Sequence, residues 1–294
     1  MIVHDAGGAE IIGAYIRVHK NKINFESYVA GPAVNIFMRE KIPFSLITDD
    51  KAFVARAVKK NIHAKFAILG ARWRTDIEST ALSEAKINGI RTVVYMDSWS
   101  NYRERFGYPT QGWENNLPDE LWLGDKNALQ LALSLFPKKL KIKLVPNEYF
   151  RLAKKRYVEV RKKRQVNVVL FLTDPSTNSI SAARILFIAL SRFVAALRIR
   201  LRLHPSDQIV RYVELQKEFP KLPVEFSREP KLANDLASSL FVVGAETVAL
   251  AVAAKVGLPV FCVAPNTNDV VSNNRDIVHV RTGRELTRQL RSIL

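Results

Sequence analysis

Three segments in the second half of the chain carry residue types suited to holding an anion. Arg202-Leu203-His204-Pro205-Ser206 closes the apolar run 198–203, and Pro205 stops the strand there. An imidazole at a strand end can hydrogen-bond or charge-pair a phosphate. Its alternative role is a structural hydrogen bond. Further on, the buried run 238–243 leads into Gly244-Ala245-Glu246-Thr247 and a helical pattern. Gly244 and Ala245 permit close backbone approach, and Glu246 can accept from ribose hydroxyls or favour a helix dipole. Upstream, a strand ending at Thr173 opens into Asp174-Pro175-Ser176-Thr177-Asn178-Ser179. These side chains can cap the next helix, and Ser176 stands where its free N–H groups would meet an anion. All three groups fall at carboxyl ends of expected parallel strands, where open α/β sheets bind ligands. A phosphate-bearing donor, a nucleotide, is the expected ligand.

The first half carries two further clusters. His4-Asp5-Ala6-Gly7-Gly8-Ala9-Glu10 follows the first expected strand directly. It is neither G-x-G-x-x-G nor a P-loop, so it predicts no dinucleotide or ATP site. Gly7 and Gly8 allow tight approach of a ligand, and Asp5 and Glu10 are candidate general bases. A plain strand-to-helix turn is the alternative. The second cluster runs from Tyr95 to Phe106 and includes Asp97, Trp99, Asn101, Tyr102 and Arg105. Aromatic rings stack on sugar faces, while Asp and Arg bind hydroxyls or a carboxylate. Arg72 and Arg74, after the fourth expected strand, are further candidates for an acidic group. The histidines 4, 19, 63, 204 and 279 are scattered without a ligand spacing, so metal-independent chemistry and no cofactor are expected. Cys262, the single cysteine, sits in the apolar run 259–263 and reads as a core thiol.

The elements that position these residues alternate along the chain. Strands are expected at Met1–His4, Phe25–Ala30, Phe44–Thr48, Lys65–Gly70, Thr92–Met96, Glu120–Gly124 and Ile142–Pro146. A second series follows at Asn167–Thr173, Arg198–His204, Val224–Ser227, Leu240–Gly244, Pro259–Ala264 and Ile277–Val280. Helical patterns lie between most of them. One, over 76–88, starts with the capping pattern Thr75-Asp76-Ile77-Glu78. This rhythm predicts βαβ units and parallel sheets. The expected fold is α/β: two Rossmann-like, doubly wound domains facing a cleft. Residues 1–147 form the acceptor-side domain, 148–165 a basic linker helix, and 166–294 the donor domain.

The net charge of the 294 residues is +17. Twelve Lys and Arg fall in 138–164 against Glu148 and Glu159. Such a cluster suits an anionic membrane surface, a solvated helix face or nucleic acid. Sparse aromatic interleaving and the absence of a nucleic-acid motif argue against the last. No apolar run reaches the ~20 residues of a membrane span, and no secretory pattern opens the chain. A cytoplasmic protein, peripheral at the inner face of the membrane, is expected.

The order of strand, turn and helix, then His204-Pro205, then Ser238-Ser239 and Gly244-x-Glu246-Thr247 before an Ala-rich helix, resembles the donor domain of GT-B glycosyltransferases. Within these it resembles bacterial surface-polysaccharide enzymes that use CMP-activated acidic sugars. The resemblance covers roughly 166–265. It implies phosphate contacts for His204 and for Ser238, Ser239 and Thr247. It further implies a nucleotide-sugar donor and a glycan or lipid-linked acceptor. Enzymes of that class often carry an acidic-acidic-Gly element in the first domain. Here Asp49-Asp50 and Asp119-Glu120 lack the glycine, so Asp5 or Asp97 is the expected catalytic base. UDP-GlcNAc 2-epimerases share the fold and a similar acidic residue, which makes epimerisation the second reading. A non-catalytic sugar-nucleotide or polyanion-binding protein is the third.

Overall fold

Short, largely apolar runs give thirteen strands among the described residues, all in parallel sheets. The computed structural model describes every residue except 72–74, 100, 194–196, 246, 265–275 and 294. The chain forms two compact units, Met1–Tyr149 and Phe150–Leu294.

In the first unit the strands are β1 (Ile2–Val3), β2 (Tyr28–Val29), β3 (Ser45–Leu46), β4 (Ala67–Gly70), β5 (Thr92–Tyr95), β6 (Glu120–Leu123) and β7 (Lys141–Leu144). The helices are α1 (Ala6–His19), α2 (Pro32–Arg39), α3 (Lys51–Lys59), α4 (Ile77–Ile87) and α5 (Lys126–Leu135). The sheet order is β3-β2-β1-β4-β5-β6-β7. The chain therefore winds outward from β1, then returns to lay β4 on its other side. That reversal makes the β1/β4 carboxyl edge the switch point of the sheet. The strands at the β3 edge are shorter than the sequence predicts. Only two residue pairs join β2 to β3 (Tyr28↔Ser45 and Val29↔Leu46), and Leu46 is exposed.

The second unit begins with α6, whose span Glu148–Arg161 starts two residues before the boundary. Its strands are β8 (Val168–Leu172), β9 (Arg198–Arg202), β10 (Val224–Phe226), β11 (Ser239–Gly244), β12 (Val260–Val263) and β13 (Val278–Val280). Its other helices are α7 (Thr177–Leu190), α8 (Val210–Lys217), α9 (Leu232–Ser238), α10 (Val248–Lys255) and α11 (Gly283–Leu290). The order is β10-β9-β8-β11-β12-β13, with its switch point between β8 and β11. β8 is buried at all five positions, as a central parallel strand covered on both faces requires. α10 is apolar almost all round and sits in the core, whereas α11 is amphipathic and capped reciprocally. Thr282 accepts from the Glu285 N–H, and Glu285 accepts from the Arg281 N–H.

The basic segment is partly structural. Arg161 donates to the carbonyls of Ala237 and Ser239 at 3.0 and 2.8 Å, Arg156 donates to Asn234, and Arg164 pairs with Glu229. In β7, Lys141 and Lys143 pair with buried Glu120. Lys154, Lys155, Lys162 and Lys163 remain on the surface. Among the described residues, no helix is long and apolar enough to cross a membrane.

Candidate functional site

The switch-point edge of the first unit gathers acids from three separate segments. Asp5 precedes α1, Glu78 lies in the first turn of α4, and Asp97 follows β5. His4 donates its backbone N–H to Glu78 Oε1 at 2.7 Å, and its ring nitrogen Nδ1 meets Asp5 Oδ1 at 3.0 Å. That ring rests on Gly31, whose φ of 51° is left-handed. A Cβ there would stand 2.3 Å from His4 Nε2, so only glycine fits. Gly7 serves Asp97 in the same way: a Cβ on Gly7 would lie 2.1 Å from Asp97 Oδ2. Asp97 therefore sits against the first turn of α1, where the helix dipole favours its charge. Arg105 locks it from the other side, with Nη1 3.1 Å from Asp97 Oδ1. Asp97 Oδ1 accepts no hydrogen bond from a described residue, so this contact is an ion pair. The same guanidinium donates to the Ala71 carbonyl and to Ser98 Oγ. A cavity of about 390 Å³ is lined by Gly70, Glu78, Ser83, Arg105 and Asn116.

Glu78 was not expected here. The sequence reads it as the acidic end of a capping box, but it is only 3% exposed and turns into the sheet edge instead. Its Oε2 has no hydrogen-bond partner among the described residues. Burial first, then the neighbouring Asp5 charge, pushes its pKa up to about 7. His4 is also shifted upward, chiefly by its hydrogen bond to Asp5. The signal was present in the spacing: Glu78, Ala81, Leu82 and Ala85 share one buried face of α4.

The structure also revises the expected sugar platform. Tyr102 is 2% exposed and packs on Phe136, and Arg105 is spent on Asp97 and Ala71, so both leave the acceptor set. Trp99 is half-buried and donates Nε1 to Asp125, the N-cap residue of α5. Asn101 is exposed, with a left-handed φ of 55° that asparagine tolerates. Glu10 pairs with Arg39 at 2.7 Å, a tie between α1 and α2 rather than an open base. Gly8 is buried and packs on its own sheet: a Cβ there would meet Val3 at 3.1 Å and Gly70 at 3.4 Å. Arg72 and Arg74 lie outside the described residues.

At the switch point of the second unit, β9, β8 and β11 end in register, with Arg202 beside Leu172 and Leu172 beside Gly244. Thr173, Asp174, His204 and Thr247 follow those ends. Thr173 Oγ1 accepts from the His204 N–H at 2.9 Å, and His204 Nδ1 accepts from the Ser206 N–H. These bonds fix the tautomer, leaving the hydrogen on Nε2 when the ring is neutral. Ser176 is the exposed N-cap of α7, and its N–H is taken by Asp174 Oδ1 at 2.7 Å. Asp174 is 8% exposed, and its Oδ2 has no hydrogen-bond partner among the described residues. Asp207 supports this edge by accepting from Arg211 and from the Tyr212 hydroxyl.

Three expectations for this unit change. Ser238 and Ser239 are buried at the amino end of β11, the opposite edge from Gly244, and Ser239 Oγ bonds the Asp235 carbonyl. They leave the donor set. Gly244 is needed by the sheet: a Cβ there would stand 2.7 Å from the Leu172 carbonyl oxygen. Thr247 caps α10 by accepting from the Ala249 N–H. Glu246 lies outside the described residues.

No protein-family model matches the chain, and no curated protein matches it by sequence. Solved structures do. UDP-GlcNAc 2-epimerase from Neisseria meningitidis, bound to UDP-GlcNAc, matches with a TM-score of 0.70 at 9% identity. The match covers 99% of this chain and 90% of that one. HepE from Anabaena, in complex with UDP-glucose, gives 0.66 at 14% identity over 99% and 88%. MurG from Acinetobacter baumannii gives 0.57 at 10% identity over 100% and 90%. With 7- and 6-stranded parallel sheets in two doubly wound units, the chain has the GT-B fold of these proteins.

Proposed function

We propose that the protein is a glycosyltransferase that takes a nucleotide-activated sugar as donor. The observation that carries this reading is the polar edge of the second unit, where Thr173, His204 and the start of α7 meet at the switch point. Ligands of doubly wound sheets bind at that edge. Support also comes from HepE and the meningococcal epimerase, each holding a UDP-sugar. The donor proposed is a CMP-activated sugar, on the resemblance carried by His204-Pro205 and Gly244-x-Glu246-Thr247. In the transfer, a carboxylate of the first unit takes the proton of the acceptor hydroxyl. The acceptor oxygen bonds the anomeric carbon, and the nucleotide leaves with the electron pair. Asp5 or Asp97 is the proposed base. The acceptor is a glycan or a lipid-linked glycan of surface-polysaccharide assembly. Backbone N–H groups and His204 stabilise the leaving phosphate without a metal, so turnover is expected to be the same with and without EDTA.

Epimerisation is the second reading, and the acid cluster favours it. His4, Asp5, Glu78 and Asp97 would serve proton removal and return at one sugar carbon, with no acceptor.

The test is thermal shift with CMP, CDP, UDP, GDP and ADP, repeated on His204→Ala. A CMP-selective shift lost in the variant supports the transferase. A UDP-selective shift moves the assignment to a UDP-sugar enzyme, and product formation without acceptor then selects the epimerase. The absence of any shift would overturn both in favour of a binding protein for another anion.

A further inference from the structure

The amino edge of the first sheet holds a second cavity, of about 520 Å³. It lies among the starts of β1, β2 and β4 and the carboxyl ends of α1 and α3, opposite the acid cluster. That volume is in the range of small-molecule sites, roughly 300–1,000 Å³. Its floor is apolar, built from Ile2, Tyr28, Val58 and Ile90, with Phe25 and Phe66 half-buried beside them. Its rim is cationic: Lys22, Lys60 and Lys65 line the mouth with His63, against the single acid Glu26. None of these three lysines makes an ion pair with any described residue.

One group in the floor points more directly to a ligand. The hydroxyl of Tyr28, a residue only 7% exposed, accepts from Asn61 Nδ2 at 3.0 Å in a part-buried bond, and no described residue accepts its own proton. A phenol buried among apolar side chains ordinarily finds an acceptor. Part of the positive rim answers the helix dipoles of α1 and α3, whose carboxyl ends attract cations. Lys22 and Lys65 lie beyond both helices, so that account does not cover them.

We propose that this cavity binds an anionic amphiphile, its alkyl body on the apolar floor and its acidic head between Tyr28 and the lysines. A fatty-acid carboxylate and an alkyl phosphate share that chemistry. The site is independent of the switch-point edges.

Titration calorimetry on the full chain tests it, with decanoate, decyl phosphate and uncharged decyl glucoside below their micellar concentrations. Binding of either anion, with the glucoside at least roughly tenfold weaker, is the expected result. Binding of decanoate alone assigns a fatty-acid source, and binding of decyl phosphate alone a lipid-phosphate source. Lys60→Glu with Lys65→Glu is expected to weaken the anion by about tenfold or more. Ala64→Trp, at an exposed lining position, fills the mouth and blocks it. No binding by either anion overturns the proposal, as does binding that survives both variants. Concentration-dependent dimerisation abolished by Ala64→Trp would equally overturn it, by making a second copy the occupant.

Discussion

The carboxyl of Glu78 is half-protonated near neutral pH, because burial and the Asp5 charge lift it to about 7. In the unfolded chain the same group titrates near the ordinary 4.5. Between those values the folded state holds more protons, so its stability falls as pH rises, by on the order of 3 kcal/mol. Glu78→Gln binds no proton and is expected to lose that slope. Urea midpoints at pH 5 and pH 8 check it: the variant should gain on the wild type at pH 8. An unchanged difference at the two pH values would refute the assignment. His4 adds a slope of the same sign above its ordinary value, and this one persists in the variant because Asp5 is its main cause. Gly7 offers a second residue-level test. Alanine inside a helix normally stabilises by about 0.5–1 kcal/mol. At Gly7 the new methyl displaces Asp97 from its seat against α1 and from Arg105. Gly7→Ala is therefore expected to lower turnover as much as Asp97→Asn while the melting temperature holds. Full activity in both variants would remove Asp97 from the mechanism.

At the scale of elements, periodicity made the fold legible. Each expected strand has an observed counterpart, because apolar runs bounded by turn residues leave a parallel sheet few alternatives. What periodicity left open was where each strand stops and which end faces the ligand. Ser238 and Ser239 show this: they read as part of the buried run 238–243 that leads into Gly244, and residue types alone do not say that a helix, α9, ends on Ser238. Glu78 and Arg105 were missed or misread for a related reason. Their roles depend on burial by segments distant in sequence, as with Arg105 reaching Ala71 across 34 positions. Gly244 was legible as special but for the wrong cause. Alanine there would drive a methyl to 2.7 Å from a backbone oxygen of β8, which cannot swing aside as a side chain can. Gly244→Ala is expected to destabilise by about 1–3 kcal/mol, read from the urea midpoint with CMP absent. A neutral result would mean that β8 and β11 separate easily at their ends.

For the whole molecule, the charge of +17 decides its encounters. The structure divides that charge into two kinds. Arg156, Arg161 and Arg164 hold α6 to the second unit by bonds to Asn234, Ala237, Ser239 and Glu229. Lys154, Lys155, Lys162 and Lys163 hold nothing of the fold in place and project from the same segment. A membrane carrying anionic lipid attracts such lysines by about 1 kcal/mol each near its surface. Liposome sedimentation then separates the two kinds. Anionic vesicles are expected to pellet the protein and neutral ones to leave it in solution, with the difference fading as salt shortens the Debye length. Changing the four lysines to glutamine should abolish pelleting without moving the melting temperature. Arg161→Ala should instead lower the melting temperature, because two carbonyls lose their donor. Equal pelleting on neutral and anionic vesicles would overturn the membrane assignment and leave the basic surface to serve the solubility of the protein alone.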